Sequence, residues 1–152
     1  MRLKFADILL KEMDKNPDIV LISADLGYFI LDKIKDKYPD RFFNCQAAEQ
    51  IMLGMAIGFT LKDKIAVCYS ITPFLLHRPF EAIQLYLETE QIPVKLVGSG
   101  RGKDYSSDGA SHWESSWRFK RIVQLRPEMD TLEEDIKTML YNQKPTFLSL
   151  AR

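Results

Sequence analysis

The sequence contains little cysteine and little histidine, with two of each among its 152 residues. A disulfide-stabilised protein of this length needs more cysteine, so Cys45 and Cys68, each flanked by apolar or aromatic residues, are predicted to be buried thiols. His77 has no cysteine or histidine at zinc-ligand spacing. The composition therefore predicts neither a disulfide framework nor a metal site in this chain.

The chain also lacks an excess of either charge and any long apolar run. Lysine plus arginine and aspartate plus glutamate number 21 each, so no overall field would attract the chain to nucleic acid or to an anionic membrane. Apolar and charged residues alternate in residues 1–15, and the longest apolar stretch there is shorter than a signal peptide or a membrane span requires. We therefore expect a cytoplasmic protein without nucleic-acid or membrane partners.

Apolar residues make up 46% of the chain and charged residues 28%, which predicts a single compact domain over residues 1–152. Segments of helical periodicity alternate with short runs of branched apolar residues. The predicted helices are 1–15, 28–37, 46–61, 74–90 and 131–141, and the predicted strands are 19–23, 41–44, 65–69, 93–98, 121–125 and 146–150. Parallel strands need crossover connections, which helices usually supply. The alternation therefore predicts an α/β fold with three αβα layers and a mostly parallel sheet of about six strands.

Ligands of such sheets collect at the carboxyl ends of the strands. Glu49 follows one of these ends, in the first turn of a predicted helix, and shares a helix face with Met52 and Leu53. Apolar surroundings would let its carboxyl group share a proton with a heterocyclic nitrogen. The alternative is a solvated carboxylate that interacts with the helix dipole.

Two further side chains at this edge are candidates. Phe74 follows the next strand, where its ring can stack on a planar cofactor or simply belong to the core. His112 lies in a glycine-containing loop and can donate to substrate oxygens, although a surface histidine is the alternative. The glycines of residues 98–104 match neither the Walker spacing nor the dinucleotide spacing, because Asp104 replaces the required serine or threonine and the third glycine is missing.

The predicted helix 46–61 is the most apolar of the chain. It carries Gly54 and Gly58 four residues apart, which leaves a bare stripe where another backbone can approach closely. We expect this helix to be central to the fold.

Taken in order, these segments resemble the pyrimidine-binding domain of the transketolase family, including deoxyxylulose-phosphate synthase and the split transketolase subunits. Residues 23–26, Ser-Ala-Asp-Leu, are similar to the family segment after its first strand. Residues 41–50 resemble the segment that carries the family's glutamate, which falls on Glu49. Residues 69–83 resemble the stretch whose aromatic ring stacks on the aminopyrimidine, and Phe74 fits that place. Residues 98–112 resemble the glycine loop of the split subunits.

The sequence departs from the family pattern in several places. Ser111 replaces the usual threonine, Trp113 follows His112 where glutamine or histidine is common, and residues 77–79 carry one extra residue. No segment resembles the family's diphosphate-binding domain or its carboxy-terminal domain. The resemblance therefore implies a partner subunit that binds the diphosphate of thiamine diphosphate together with Mg²⁺ or Ca²⁺. It also implies a heterotetramer, or a homodimer formed through the pyrimidine domain.

The implied activity is transfer of a two-carbon ketol unit between sugar phosphates by a transketolase-like transferase, with Glu49 activating the cofactor. The residues expected to be catalytic are Glu49 and His112; those expected to bind the cofactor are Glu49, Phe74, Tyr69, Asp25 and Leu26; those expected to bind substrate are His112, Ser111 and Arg78. Two alternatives remain open: a beta-type subunit of a 2-oxo acid decarboxylase or dehydrogenase, and a non-catalytic interaction module.

Overall fold

A computed structural model describes residues 1–114 and 119–152 of the chain. Six strands form one sheet in the order β2-β1-β3-β4-β6-β5, and all five neighbouring pairs run parallel. Their bounds are β1 Ile19–Ser23, β2 Phe42–Asn44, β3 Ile65–Ile71, β4 Lys95–Ser99, β5 Val123–Leu125 and β6 Thr146–Leu150. The predicted α/β class and the strand number are confirmed. Residues 115–118, which follow the loop that contains His112, lie outside the described residues.

Helices connect the strands. They are α1 Arg2–Lys15, α2 Asp32–Lys37, α3 Glu49–Thr60, α4 Thr72–His77, α5 Phe80–Ala82 and α6 Leu132–Tyr141, with a π-helix at Ile83–Thr89 directly after α5. Short 3₁₀ turns lie at Pro39–Arg41, Ser106–Asp108 and Ala110–His112. Among the described residues, no helix has the length and apolar character needed to cross a membrane.

Two apolar cores lie on opposite faces of the sheet. One core joins α1, α2 and α6 to the sheet, and the other joins α3, α4 and the π-helix to it. The central strands β1 and β4 are buried along their whole length, as expected for strands covered on both faces. The three αβα layers are therefore present as predicted.

Several element boundaries differ from the prediction. The segment 28–37 becomes helical only at Asp32, because Gly27 (φ +96°) and Phe29 (φ +63°) adopt left-handed backbone conformations that a right-handed helix cannot contain. The segment 46–61 becomes helical only at Glu49, since Gln46 is also left-handed, with φ +55°. The helical stretch predicted at 74–90 begins earlier, at Thr72, and is interrupted at Pro79, which has no N–H to donate.

The two cysteines also differ from each other. Cys68 is fully buried in β3, as predicted, and burial raises the pKa of its thiol. Cys45 is only partly buried, because it lies in the loop at the carboxyl end of β2, where its Sγ contacts Met55 Sδ at 3.4 Å. The prediction of a buried thiol at Cys45 was wrong.

The amino-terminal edge of the sheet contains a buried ammonium group, that of Lys95. The Lys95 residue is 2% exposed, and its Nζ donates to three oxygens: the Asn142 carbonyl at 2.8 Å, Asn142 Oδ1 at 3.0 Å and the Lys144 carbonyl at 2.8 Å. Burial lowers the pKa of Lys95 to about 8. This side chain ties the start of β4 to the loop between α6 and β6.

Candidate functional site

The strand order places a crevice between β1 and β3 at the carboxyl edge of the sheet. The chain passes from β1 outward to β2 and then returns over β1 to β3, so the direction of winding changes at this point. Open α/β sheets bind ligands at such a change of direction. Helix α3, which makes the return crossing and packs on β3 and β1, begins here with Glu49.

A turn after β2 aims the start of α3 at this crevice. Asn44 Oδ1 accepts the backbone N–H of Gln46 at 2.8 Å and that of Asp25 at 3.2 Å, which links the ends of β2 and β1. Gln46 and Asp25 both have positive φ, and asparagine bridging of this kind stabilises such turns. As a result Glu49, at the first position of α3, points into the molecule and is only 2% exposed.

Both carboxylate oxygens of Glu49 have partners. Ser70 Oγ, from the carboxyl end of β3, donates to Oε1 at 2.9 Å. Arg78 Nη1, from the residue after α4, donates to Oε2 at 2.7 Å. The Glu49 side chain is 1% exposed, whereas the Arg78 side chain is 41% exposed, so the ion pair reaches from the interior to the surface. A buried carboxylate needs such partners, because an unpaired buried charge is costly.

An aromatic ring lies beside this ion pair. The Arg78 guanidinium carbon is 3.9 Å from the centre of the half-buried Phe74 ring. On another side, the His112 ring meets Phe74 at a centroid distance of 4.8 Å and an interplanar angle of 69°. An open cleft of about 370 Å³ adjoins the group and is lined by residues 47–51 and Arg78. Ser70, Glu49, Arg78, Phe74 and His112 thus form one connected site.

Four of the predicted site residues, Glu49, Phe74, Arg78 and His112, therefore lie together. Ser111 is adjacent, and its exposed Oγ lies 3.0 Å from His112 Nδ1. Asp25 and Leu26 lie at the same sheet edge, after β1, but make other contacts. Asp25 accepts the Tyr28 hydroxyl, and Leu26 packs against the core beneath α1 and α2.

Tyr69 is the one predicted site residue that the fold places elsewhere. It is fully buried on the other face of β3, where its ring stacks on Phe5 at 5.8 Å, and burial raises the pKa of its hydroxyl to about 12. The structure therefore does not bring Tyr69 together with Glu49, because neighbouring residues of a strand face opposite sides of the sheet. The next residue, Ser70, faces Glu49 and was missed. Strand alternation was the signal that favoured it.

The chemistry of this site is that of a buried hydrogen-bond acceptor beside an aromatic face. A planar group with an N–H edge satisfies both, and the Arg78 guanidinium is such a group. Among residues 1–114 and 119–152, no three histidine, cysteine, aspartate or glutamate side chains are grouped to hold a metal ion. With a buried acceptor beside an aromatic ring, the described site suits a flat nitrogen heterocycle.

Comparison with known proteins identifies the family. Residues 1–139 match the family model described as the transketolase pyrimidine-binding domain. The chain belongs to this family. The buried Glu49 and the half-buried Phe74 lie within the matched residues.

Relatives with curated descriptions include several transketolase proteins. The chain is 34% identical over 113 residues to a putative transketolase C-terminal section of Methanocaldococcus jannaschii, covering 74% of this chain and 36% of that protein. It is 29% identical to a 6-deoxy-6-sulfo-D-fructose transketolase subunit of Clostridium sp. (strain MSTE9), covering 74% of this chain and 35% of that one. A 1-deoxy-D-xylulose-5-phosphate synthase of Mycolicibacterium vanbaalenii is 32% identical over 74% of this chain and 18% of its own length.

Solved structures share the fold. A split-gene transketolase, described as an inactive beta4 tetramer, has a TM-score of 0.83 at 23% identity over 97% of this chain and 50% of that chain. A transketolase mutant from Pichia stipitis also has a TM-score of 0.83, at 19% identity over 99% of this chain and 25% of that chain. The chain thus spans about a third of the length of the first two curated relatives named above, and half or less of these structures.

Proposed function

We propose that this pyrimidine domain contributes to a thiamine diphosphate-dependent, transketolase-like transferase that moves a two-carbon ketol unit between sugar phosphates. In this proposal Glu49 binds the aminopyrimidine ring of the cofactor. The observation that carries the proposal is the buried Glu49 carboxylate, 2% exposed, at the point where the sheet changes winding direction. Family membership supports the same cofactor.

The residues present fit the aminopyrimidine. Glu49 Oε2 lies in hydrogen-bonding contact with a planar N–H donor, and the same donor stacks on Phe74 at 3.9 Å. The pyrimidine ring offers the same two features, a flat face and a nitrogen edge. When bound, thiamine diphosphate supplies the carbon nucleophile that ketol transfer requires.

Each side chain then has a defined task. Glu49 holds a proton between its Oε2 and a nitrogen of the heterocycle, and Ser70 fixes the orientation of the carboxyl group through the 2.9 Å hydrogen bond to Oε1. Phe74 provides the stacking face and excludes water on that side. Asp25 and Leu26 flank the cofactor from the end of β1.

The substrate side of the proposed site contains His112, Ser111 and Arg78. The His112 ring packs against Phe74, so we assign it to the substrate side of the stacking face. The Ser111 hydroxyl, 3.0 Å from Nδ1, holds the imidazole in one orientation. Arg78 is exposed enough to present positive charge to a sugar phosphate.

The diphosphate of the cofactor, with its Mg²⁺ or Ca²⁺, is assigned to a diphosphate-binding partner. This follows the division of labour implied by the family, and the relatives described as a transketolase subunit and as a split-gene transketolase support it. We assign the pairing of two copies of this domain to the outer stripe of α3. Ile51 is 62% exposed there, Gly54 and Gly58 are exposed, and a Cβ built on either glycine meets no atom within 4 Å.

A reconstitution experiment tests the proposed activity. The chain is combined with a diphosphate-binding transketolase subunit, and thiamine diphosphate binding is measured for each component and for the pair. Ketol transfer between sugar phosphates and decarboxylation of pyruvate are then assayed in parallel. The proposal predicts binding by the pair and ketol transfer. Pyruvate decarboxylation without ketol transfer would identify a 2-oxo acid enzyme. The absence of both association and activity would indicate a non-catalytic interaction module.

A further inference from the structure

Arg78 makes the same two contacts that the proposed function assigns to the aminopyrimidine. Its Nη1 donates to Glu49 Oε2 at 2.7 Å, and its guanidinium stacks on the Phe74 ring at 3.9 Å. A guanidinium is planar and carries its N–H groups in the plane, so it presents a flat face to the ring and a donor edge to the carboxylate. We propose that Arg78 holds the place of the aminopyrimidine in the cofactor-free chain and leaves Glu49 when the cofactor binds. This inference rests on the proposed function.

The two occupants exclude each other for steric reasons. Oε1 of Glu49 is engaged by Ser70 at 2.9 Å, which leaves Oε2 for a ligand, and Arg78 is bound there. A heterocycle stacked on the same face of Phe74 would overlap the guanidinium at 3.9 Å. Binding is therefore an exchange of the planar guanidinium for a planar heterocycle whose ring nitrogen shares a proton with Oε2.

The position of Arg78 allows this exchange. Its side chain is 41% exposed, whereas that of Glu49 is 1% exposed, so the arginine can turn outward while the carboxylate stays in place. Arg78 also lies immediately after α4 and before Pro79, where the helical path is interrupted. After the exchange its charge would stay beside the cleft that it lines, where an anionic substrate could bind it.

The ion pair also explains how Glu49 can be buried before any ligand arrives. An unpaired buried carboxylate is strongly disfavoured, and Ser70 alone supplies only a neutral hydroxyl. Arg78 provides the missing positive charge from the surface side. Arg78 thus keeps the Glu49 carboxylate ionised and in place, and it also competes with the ligand for Oε2.

Arg41 offers a matched control elsewhere in the chain. Its guanidinium also stacks on an aromatic ring, Tyr38, at 3.8 Å, but its Nη1 donates to the carbonyls of Met13 and Asn16, both at 3.1 Å. This arginine ties the 3₁₀ turn Pro39–Arg41 to the carboxyl end of α1, and among the described residues it has no recorded contact with the site. Substitution of Arg41 therefore controls for the loss of a stacked arginine as such.

Binding of the aminopyrimidine half of the cofactor tests the inference without a partner or turnover. The probe is 4-amino-5-hydroxymethyl-2-methylpyrimidine, titrated by NMR into the wild-type chain, Arg78→Met, Arg41→Met and Glu49→Gln. Arg78→Met should bind the probe about tenfold more tightly than wild type, which corresponds to about 1.4 kcal/mol. Arg41→Met should match wild type. In wild type, the side-chain ¹⁵N signals of Arg78 should change from restricted to freely rotating as the probe saturates.

The possible results separate the inference from the proposed function. Equal or weaker binding by Arg78→Met, with wild-type binding lost in Glu49→Gln, would overturn the exchange and leave the proposed function supported. Undiminished binding by Glu49→Gln would contradict the proposed function and the inference with it. No binding by any variant would overturn the inference, and the reconstitution experiment would then test the proposed function on its own. Circular dichroism and thermal unfolding of each variant establish that it is folded.

Discussion

Ser70 Oγ lies 2.9 Å from Glu49 Oε1, although the two residues are 21 positions apart and belong to β3 and α3. The contact exists because α3 crosses from β2 over β1 and begins at the carboxyl end of β3. It is the only hydrogen bond to Oε1 found among the described residues, and it sets the plane of the carboxyl group.

Ser70→Ala should therefore weaken the site without unfolding the domain. Loss of a hydrogen bond to a carboxylate costs about 1.5 to 3 kcal/mol, so we expect aminopyrimidine binding to fall by roughly 10- to 100-fold. The measurement is the NMR titration described above. Ser149→Ala is the matched control, because Ser149 Oγ is buried in β6 and has no hydrogen-bond partner within the described part of the chain. Similar losses in both variants would refute the orienting role of Ser70.

Gly98 is required by close packing in β4. A Cβ built there would lie 2.6 Å from Thr72 Oγ1 and 2.9 Å from the Phe147 ring. Thr72 cannot retreat freely, because its hydroxyl donates to the Gly100 carbonyl at 2.7 Å. Gly98→Ala should lower the free energy of unfolding by roughly 1 to 3 kcal/mol, measured by urea denaturation. An unchanged midpoint would show that the packing around β4 is looser than described.

Lys95 makes stability depend on pH. Its pKa in the folded chain is lowered to about 8 from an ordinary value of 10.5, so between these values the unfolded state binds more protons than the folded state. Stability should therefore rise as the pH increases through this window, by about 1 kcal/mol or more. Urea denaturation at pH 7.5 and 9.5 measures the rise. Lys95→Met should lack this contribution, and an equal rise in the variant would assign the effect to other groups.

The outer stripe of α3 should control self-association. Gly58→Gln places a long polar side chain on the exposed stripe while favouring the helix, because glycine is the poorer helix former. Sedimentation velocity should then show a loss of dimers or larger assemblies relative to wild type, with an unchanged circular dichroism spectrum. Lys11→Gln, at an exposed position of α1 on the other face of the sheet, serves as the control. Assemblies that persist in Gly58→Gln would exclude this stripe as the pairing surface.

Much of the fold could be predicted because local pattern determines it. Branched apolar runs such as Ile19–Ser23 favour strands buried on both faces, and their alternation with helices leaves few arrangements other than a parallel sheet. Boundaries were less predictable. Gln46 and Phe29 adopt left-handed backbone conformations that their residue types do not signal, and each delays the start of a helix.

The candidate site could be predicted only in part. Spacing alone leaves two interpretations of Glu49 and of Phe74 open. The order of the family segments is what makes both residues recognisable as site candidates. Successive residues of β3 face opposite sides of the sheet, so only one of Tyr69 and Ser70 can face α3. The sequence does not show which one, and the structure places Ser70 there. The Arg78–Glu49 ion pair joins residues that are 29 positions apart in the sequence, and only the folded backbone brings them together.

The central claim, that the Glu49 carboxylate engages the cofactor, is tested most directly by removing its charge. Glu12 provides a matched control, because it is also a buried glutamate, 4% exposed, with a cationic partner in Lys15 and a hydroxyl partner in Tyr141. It lies on α1, on the other side of the sheet from α3.

The measurement is ketol transfer by the reconstituted complex carrying Glu49→Gln or Glu12→Gln. We predict that Glu49→Gln lowers turnover by at least 100-fold, since proton transfer by a positioned carboxyl group contributes about 10²- to 10⁴-fold. Glu12→Gln should stay within about twofold, because it leaves that proton transfer intact. Turnover near the wild-type level in folded Glu49→Gln would contradict the account.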